Sequence, residues 1–174
     1  MTPAEIVTKI KALGHDLTMP DERVYDFINM ALKDIESRGD YSWQTVKETV
    51  TVPAGSQTIT TAHTPVKHII ATDPVVEIVT YVGTIQLKKA VTEDTDITIV
   101  YSYKHPNFDG ATINKIMNND WLYILGGLYY MLLFNMSPEA GVYQQKFIQE
   151  INREYAENCF VVDTDVINRE IGGI

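Results

Sequence analysis

Four histidines, one cysteine and several grouped acids are the side chains of this 174-residue chain with the most reactive chemistry, and their spacing limits what they can do. His15, His63, His68 and His105 stand apart, whereas a metal site or a proton relay needs several such groups to converge. His63 and His68 are five residues apart in a strand-like stretch, so alternation places them on opposite faces if the strand is continuous. They read as turn or solvent-facing residues. Glu93, Asp94 and Asp96 lack the oxygen-rich spacing around an obligatory glycine that a calcium loop requires, and so do Asp163 and Asp165. Gly126-Gly127 sits inside an apolar helical run rather than between a strand and a helix start, so it reads as close helix packing and not as a phosphate loop. No nucleophile, base and stabiliser stand together. The chain therefore reads as non-enzymatic, with no catalytic, cofactor-binding or metal residue assigned and no cofactor expected.

Composition narrows the class further. With 45% hydrophobic and 21% charged residues, the chain has an ordinary globular make-up and the length of one domain. Cys159 is the single cysteine, so the framework needs no oxidising compartment. The net charge of -9 argues against a phosphate-gripping surface, because nucleic-acid affinity comes chiefly from clustered Lys and Arg. Any contact with DNA should be loose. The apolar run Trp121 to Phe134, preceded by Asn118, Asn119 and Asp120, falls short of the roughly 20 residues that cross a bilayer, so no membrane is expected as a partner. The opening "MTPAEIVTKIKALG" has no continuous apolar core, so it reads as neither a secretory signal nor a transit peptide, and the mature chain is expected to begin there. Without a secretory route, and with Pro138 following, the sequon Asn135-Met136-Ser137 is discounted.

Periodicity supplies the elements that would position these side chains. Thr2, Pro3 and Glu5 open a first helix whose stripe is Ile6, Ile10 and Leu13, ending at Gly14. Thr18 to Pro20 open a second, where Val24, Phe27, Ile28, Ala31, Leu32 and Ile35 form a core face closed by Arg38 and Gly39. From Gln44 the period switches to two, with Val46, Val50 and Val52 on one side and Thr45, Lys47, Thr49 and Thr51 on the other. Pro53-Ala54-Gly55 predicts a hairpin turn and Gln57 to Thr61 its returning strand. Further strands are expected at Val66 to Ala71, Val75 to Val82, Ile85 to Lys89 and Ile97 to Tyr103. After Pro106 helical spacing returns through Ile113, Met117, Trp121, Ile124, Leu125, Leu128, Leu132 and Leu133, making a long central helix. Ser137-Pro138-Glu139 start its hairpin partner, with Ala140, Phe147, Ile148, Ile151 and Tyr155 facing inward. From Phe160 no helical period is sustained, so the end reads as an arm. The predicted fold is α+β: mainly a four-helix bundle over residues 1–159 with an antiparallel β insertion at about 44–104, followed by an extended C-terminal arm over 160–174.

Five segments carry a family resemblance: "FINMALKDIESRGDYSW" (Phe27 to Trp43), "VTVPAGSQTIT" (Val50 to Thr60), "ITIVYSYKHP" (Ile97 to Pro106), "DWLYILGGLYYMLLF" (Asp120 to Phe134) and the last helix after Ser137-Pro138-Glu139. In that order they resemble the head-to-tail adaptor (connector) proteins of tailed bacteriophages. The resemblance implies a helical domain with a β insertion, neighbouring copies of the chain in a dodecameric ring beneath the portal protein, and a tail or nozzle protein below. Double-stranded DNA would pass through the lumen without sequence-specific binding. By the same likeness the protein would belong to the virion, assembled in the host cytoplasm. Its arm would dock on the portal or a neighbouring subunit, with Phe160, Val161, Val162, Val166, Ile167, Ile171 and Ile174 as candidate contacts. One departure is Thr61-Ala62-His63-Thr64-Pro65, where relatives often have a Leu-Pro step, which leaves the exit of the predicted hairpin open.

Two other readings remain. One is a stopper or tail-completion ring of the same neck. The other is a small-ligand or peptide-binding module using Tyr101, Tyr103 and Trp121. Ten tyrosines could mean carbohydrate or nucleobase stacking, but core edges and subunit contacts explain them more simply.

Overall fold

The computed structural model describes residues 1–39, 41–64, 66–81, 84–104, 106–110 and 119–158. Within them lie α1 (Pro3–Leu13), α2 (Asp21–Ser37), β1 (Thr45–Val52), β2 (Thr58–Ile59), β3 (Val66–Asp73), β4 (Ile78–Tyr81), β5 (Thr84–Leu87), β6 (Thr95–Tyr103), α3 (Asp120–Phe134) and α4 (Ala140–Asn158). The chain divides into two compact units. The described residues up to 39 and from 106 onward build one, and those between 41 and 104 build the other.

In the helical unit, α3 packs against α1, α2 and α4, which accounts for a helix that is apolar around most of its circumference. It buries Leu122, Tyr123, Ile124, Leu128, Met131 and Leu132. Two glycines let the neighbours come close. A Cβ built on Gly126 would stand 2.4 Å from the Ala31 Cβ and 2.9 Å from Phe147 Cε2, and one on Gly127 would stand 2.7 Å from Ile10 Cδ1 and 3.0 Å from Ile28 Cγ1. Around α3, α2 buries Val24, Phe27, Ile28, Ala31, Leu32 and Ile35, the six residues of its 3.6-residue period. Helix α1 opens with a capping box, in which the Glu5 amide donates to the Thr2 hydroxyl and the Thr2 amide donates to the Glu5 carboxylate.

Several boundaries differ from the periodic reading. Helix α1 buries Val7 with Ile6 and Ile10, while Leu13 is only half-buried. Residues 106–110 are irregular, and α3 starts at Asp120, where the Asn119 side chain accepts the Trp121 amide at 3.1 Å as N-cap. Ile113 and Met117 lie outside the described residues. On α4 the inward set is Ala140, Phe147, Ile151 and Glu154, with Ile148 half-buried and Tyr155 exposed. Glu154 takes the inward place because Asn119 and Asn158 donate to its carboxylate there, at 3.1 and 2.9 Å.

The β unit contains two antiparallel three-stranded sheets, β1-β6-β3 and β2-β5-β4. In the first, Val46, Glu48, Val50 and Val52 register with Tyr101, Ile99, Ile97 and Thr95, so they share a face, and Ile97, Ile99 and Tyr101 are wholly buried. In the second, Ile59, Ile85 and Leu87 are buried while Thr84 and Gln86 are exposed, the period of two that a half-covered strand requires. The predicted hairpin between β1 and Gln57–Thr61 does not form. Strand β1 pairs along its whole length with β6, and β2 pairs with β5. The turn residues are held by a different partner: the Ala54 amide donates to Asp94 Oδ1 at 2.9 Å and the Gly55 amide to the Val91 carbonyl at 2.8 Å. Those bonds carry the chain across to the second sheet instead of back along β1. The strand expected from Val75 begins only at Ile78.

Of the described residues, 45% are helical and 24% lie in strands. The fold is α+β, but the expectation of a mainly helical bundle is wrong. The two sheets bury Val52, Ile59, Ile85, Leu87, Ile97, Ile99 and Tyr101, enough apolar surface to make a compact unit rather than an ornament on a bundle. The C-terminal arm, with Phe160, Val161, Val162, Val166, Ile167, Ile171 and Ile174, lies outside the described residues.

Candidate functional site

Among the described residues the reactive side chains are spread by the fold. His15 is exposed in the turn after α1 with φ 55°, and His105 lies outside the described residues. His63 stacks on Tyr103 with ring centroids 4.6 Å apart. His68 lies in register with Ser102, and its Nδ1 is 3.2 Å from the Ser102 hydroxyl. Because neighbouring residues on β6 point to opposite faces, Ser102 and Tyr103 hold the two histidines to opposite sides of that strand. The Ser102–His68 pair has a nucleophile's chemistry but not its access, since Ser102 is 0% exposed. Among the described residues no group of three or more His, Cys, Asp and Glu stands together as metal ligands. The acids around Glu93 brace the sheet instead: Asp96 accepts from Thr51 at 2.6 Å, and Asp94 from the Ala54 amide.

On the buried face of the first sheet, Tyr101 donates its hydroxyl proton to Glu48 Oε1 at 3.0 Å and accepts the His63 amide at 3.2 Å. The Ala62 amide reaches the same carboxylate at 3.1 Å. Burial pushes the Tyr101 phenol up to about 12; the His63 amide works against the rise and the bond to Glu48 adds to it. This network ties the loop before β3 to the sheet. It holds a loop and presents no open reacting centre.

Exposed apolar side chains, by contrast, are present on the helical unit. Around the α3–α4 turn, Leu133, Phe134, Met136 and Val142 are all at least half exposed within ten residues of chain. The Arg23 guanidinium lies 4.8 Å from the Phe134 ring centroid, and Phe27 meets Phe134 at 5.6 Å, so the ring is fixed from below while its outer face stays open. Trp121, expected in the core, is 46% exposed, with the Lys9 ammonium 4.4 Å from its ring centroid. A second feature is an open groove of about 670 Å³ beside Tyr25, Asn107 and Gly110, edged by Glu22, Asp26 and Asp109. A third is a notch of about 150 Å³ where α2, α3 and α4 meet.

The residues singled out in the sequence fall into separate places. Gly126 and Gly127 lie at the centre of the helical unit, Tyr101 and Tyr103 lie in the β unit and Trp121 in the helical unit. The periodic reading missed Asn119, which caps α3 while donating to Glu150 and Glu154, although an Asn ahead of an apolar run is itself a cap signal. It also missed Asn29, whose side chain binds the backbone of Phe108 across 79 residues, for which no local signal exists.

No protein-family model matches the chain, and comparison with curated proteins finds no match either.

Proposed function

We propose that this chain is a non-enzymatic structural protein of the neck of a tailed-phage virion, a head-to-tail adaptor. Neighbouring copies form a ring that docks on the portal protein, extends the DNA channel and offers the tail its attachment surface. The observation that carries the reading is the open apolar end of the helical unit, Leu133, Phe134, Met136 and Val142. Apolar side chains gathered at one exposed turn favour burial against a protein partner, and a ring repeats one such contact in every copy. The order of the five sequence segments is the second support. The net charge of -9 suits a channel through which DNA slides without adhering, because negative walls repel phosphate.

Electron microscopy of the protein mixed with purified portal rings tests this. A side view should show a second collar beneath the portal. Portal rings that stay bare, with the protein remaining free in sedimentation velocity, would overturn the reading.

A further inference from the structure

The α1–α2 and α3–α4 turns lie side by side at one end of the helical unit. A Cβ built on Gly14, just past α1, would stand 2.9 Å from the Met131 sulfur, and Arg23 near the start of α2 lies against the Phe134 ring. Together the two turns expose Leu17, Leu133, Phe134, Met136 and Val142. Met136 is placed there against local preference. It follows the Asn135 cap of α3 with φ 52°, a left-handed backbone that ordinarily falls to glycine, and its side chain is 92% exposed. Strain of that kind persists where it serves a contact, and methionine moulds readily to a facing surface.

Two features of this end fit one occupant, a second copy of the chain. The first is area. The five side chains leave on the order of 500 Å² of apolar surface open, at the upper end for the largest patch of a monomer. Laying that patch on its own counterpart removes about 1,000 Å² from water, enough for a specific contact and too little for a permanent one. The second is charge. The Arg23 guanidinium lies on the α2 side of Phe134, held by Asp26 at a long 3.7 Å, while the exposed Glu139 stands on the α4 side, three residues past Met136. A two-fold axis through the patch carries the cation of each copy toward the acid of the other, so the surface is complementary to itself.

We propose that two copies of the free chain pair through this end, in an isologous contact centred on Phe134 and Met136 and rimmed by Arg23 of each copy against Glu139 of the other. The inference is independent of the adaptor reading; on that reading the pair has to open before the same end can dock.

Sedimentation velocity of the full chain across the micromolar range, at low salt, should show a reversible monomer–dimer equilibrium. Met136→Gly separates contact from folding, since glycine accepts the left-handed backbone: it should keep the melting temperature and weaken pairing about tenfold. Arg23→Glu and Glu139→Arg should each weaken pairing, and the two together should restore it. A chain that stays monomeric up to several hundred micromolar, or a dimer whose affinity Met136→Gly leaves unchanged, would overturn the proposal. A ladder of trimers and larger species would overturn the two-fold arrangement, and a double exchange no better than either single one would overturn the Arg23–Glu139 rim.

Discussion

Asn29 reads both backbone groups of Phe108: its Oδ1 accepts the Phe108 amide at 2.7 Å, and its Nδ2 donates to the Phe108 carbonyl at 3.1 Å. The side-chain amide thereby does for an irregular segment what a strand partner does in a sheet. It places the Phe108 ring against Tyr25 and Tyr123, with centroids 5.6 and 5.9 Å away, and so fastens residues 106–110 onto the helical unit. Asn29→Ala strands both backbone groups and should cost about 2–3 kcal/mol. For a chain of this size that lowers the melting temperature by about 4–12 °C. A melting curve unchanged from the parent would show that water replaces the side chain at no cost.

Gly126 and Gly127 are adjacent yet should respond differently to alanine. In an open helix, Gly→Ala stabilises by about 1 kcal/mol. At Gly127 the new methyl meets the far end of the Ile10 side chain, which can turn aside, and Ile28 Cγ1 at 3.0 Å, which must give slightly, so the substitution should cost less than the one at Gly126. At Gly126 it meets the Ala31 Cβ, which cannot move without its backbone, and Gly126→Ala should cost about 1–3 kcal/mol. Urea denaturation of the two variants checks the order. Equal midpoints would mean that the helices separate freely at this level.

Asn119 joins the start of α3 to α4. Its oxygen caps α3, and its amide donates to Glu150 at 2.7 Å and to the buried Glu154 at 3.1 Å. Asn119→Ser keeps a cap and loses the donor, for about 1 kcal/mol. Asn119→Asp also keeps a cap but sets a third carboxylate against two others, for about 2–4 kcal/mol. The discriminating result is the gap between the variants in thermal unfolding. If Asp is tolerated as well as Ser, the amide is not what holds these carboxylates.

Alkaline pH should loosen the fold with a definite sign. Tyr101 is raised from 10.0 to about 12 by burial, and burial moves Tyr123 and Tyr130 upward too, with Asp120 adding to the first and the bond to Asp34 to the second. The folded chain keeps these protons where the unfolded chain has released them. Their stabilisation is complete below pH 10 and is lost as pH climbs from 10 toward 12. One such group contributes a slope of about 1.4 kcal/mol per pH unit in that window. Tyr101→Phe should flatten the slope by about that amount. Superimposable pH profiles for parent and variant would remove Tyr101 from the account.

Legibility divides along the range of the interaction. Val24, Phe27, Ile28, Ala31, Leu32 and Ile35 could be named from spacing alone, because a helix turns 3.6 residues at a time wherever it lies. The same holds for the alternation in β1 and β6, and for Thr2 and Glu5 as a cap, since these depend on residues a few positions apart. None of it shows which strand β1 will choose. The turn at Pro53-Ala54-Gly55 is compatible with a hairpin, and the bonds to Val91 and Asp94, some 36 to 40 residues on, are what divert it.

The candidate surfaces follow the same division. Trp121 and Tyr155 look like core residues by period, yet both are exposed, because what covers a helix face is another helix whose position no local pattern encodes. Glu154 looks like a surface acid and is buried, because Asn119, 35 residues away, arrives with a donor. Helices, strands and their apolar stripes belong to the order of residues, being set by backbone geometry between near neighbours. Strand partners, the weight of the β unit, the notch between α2, α3 and α4 and the open end at Phe134 arise only when distant segments meet, since their energies depend on groups far apart in the chain.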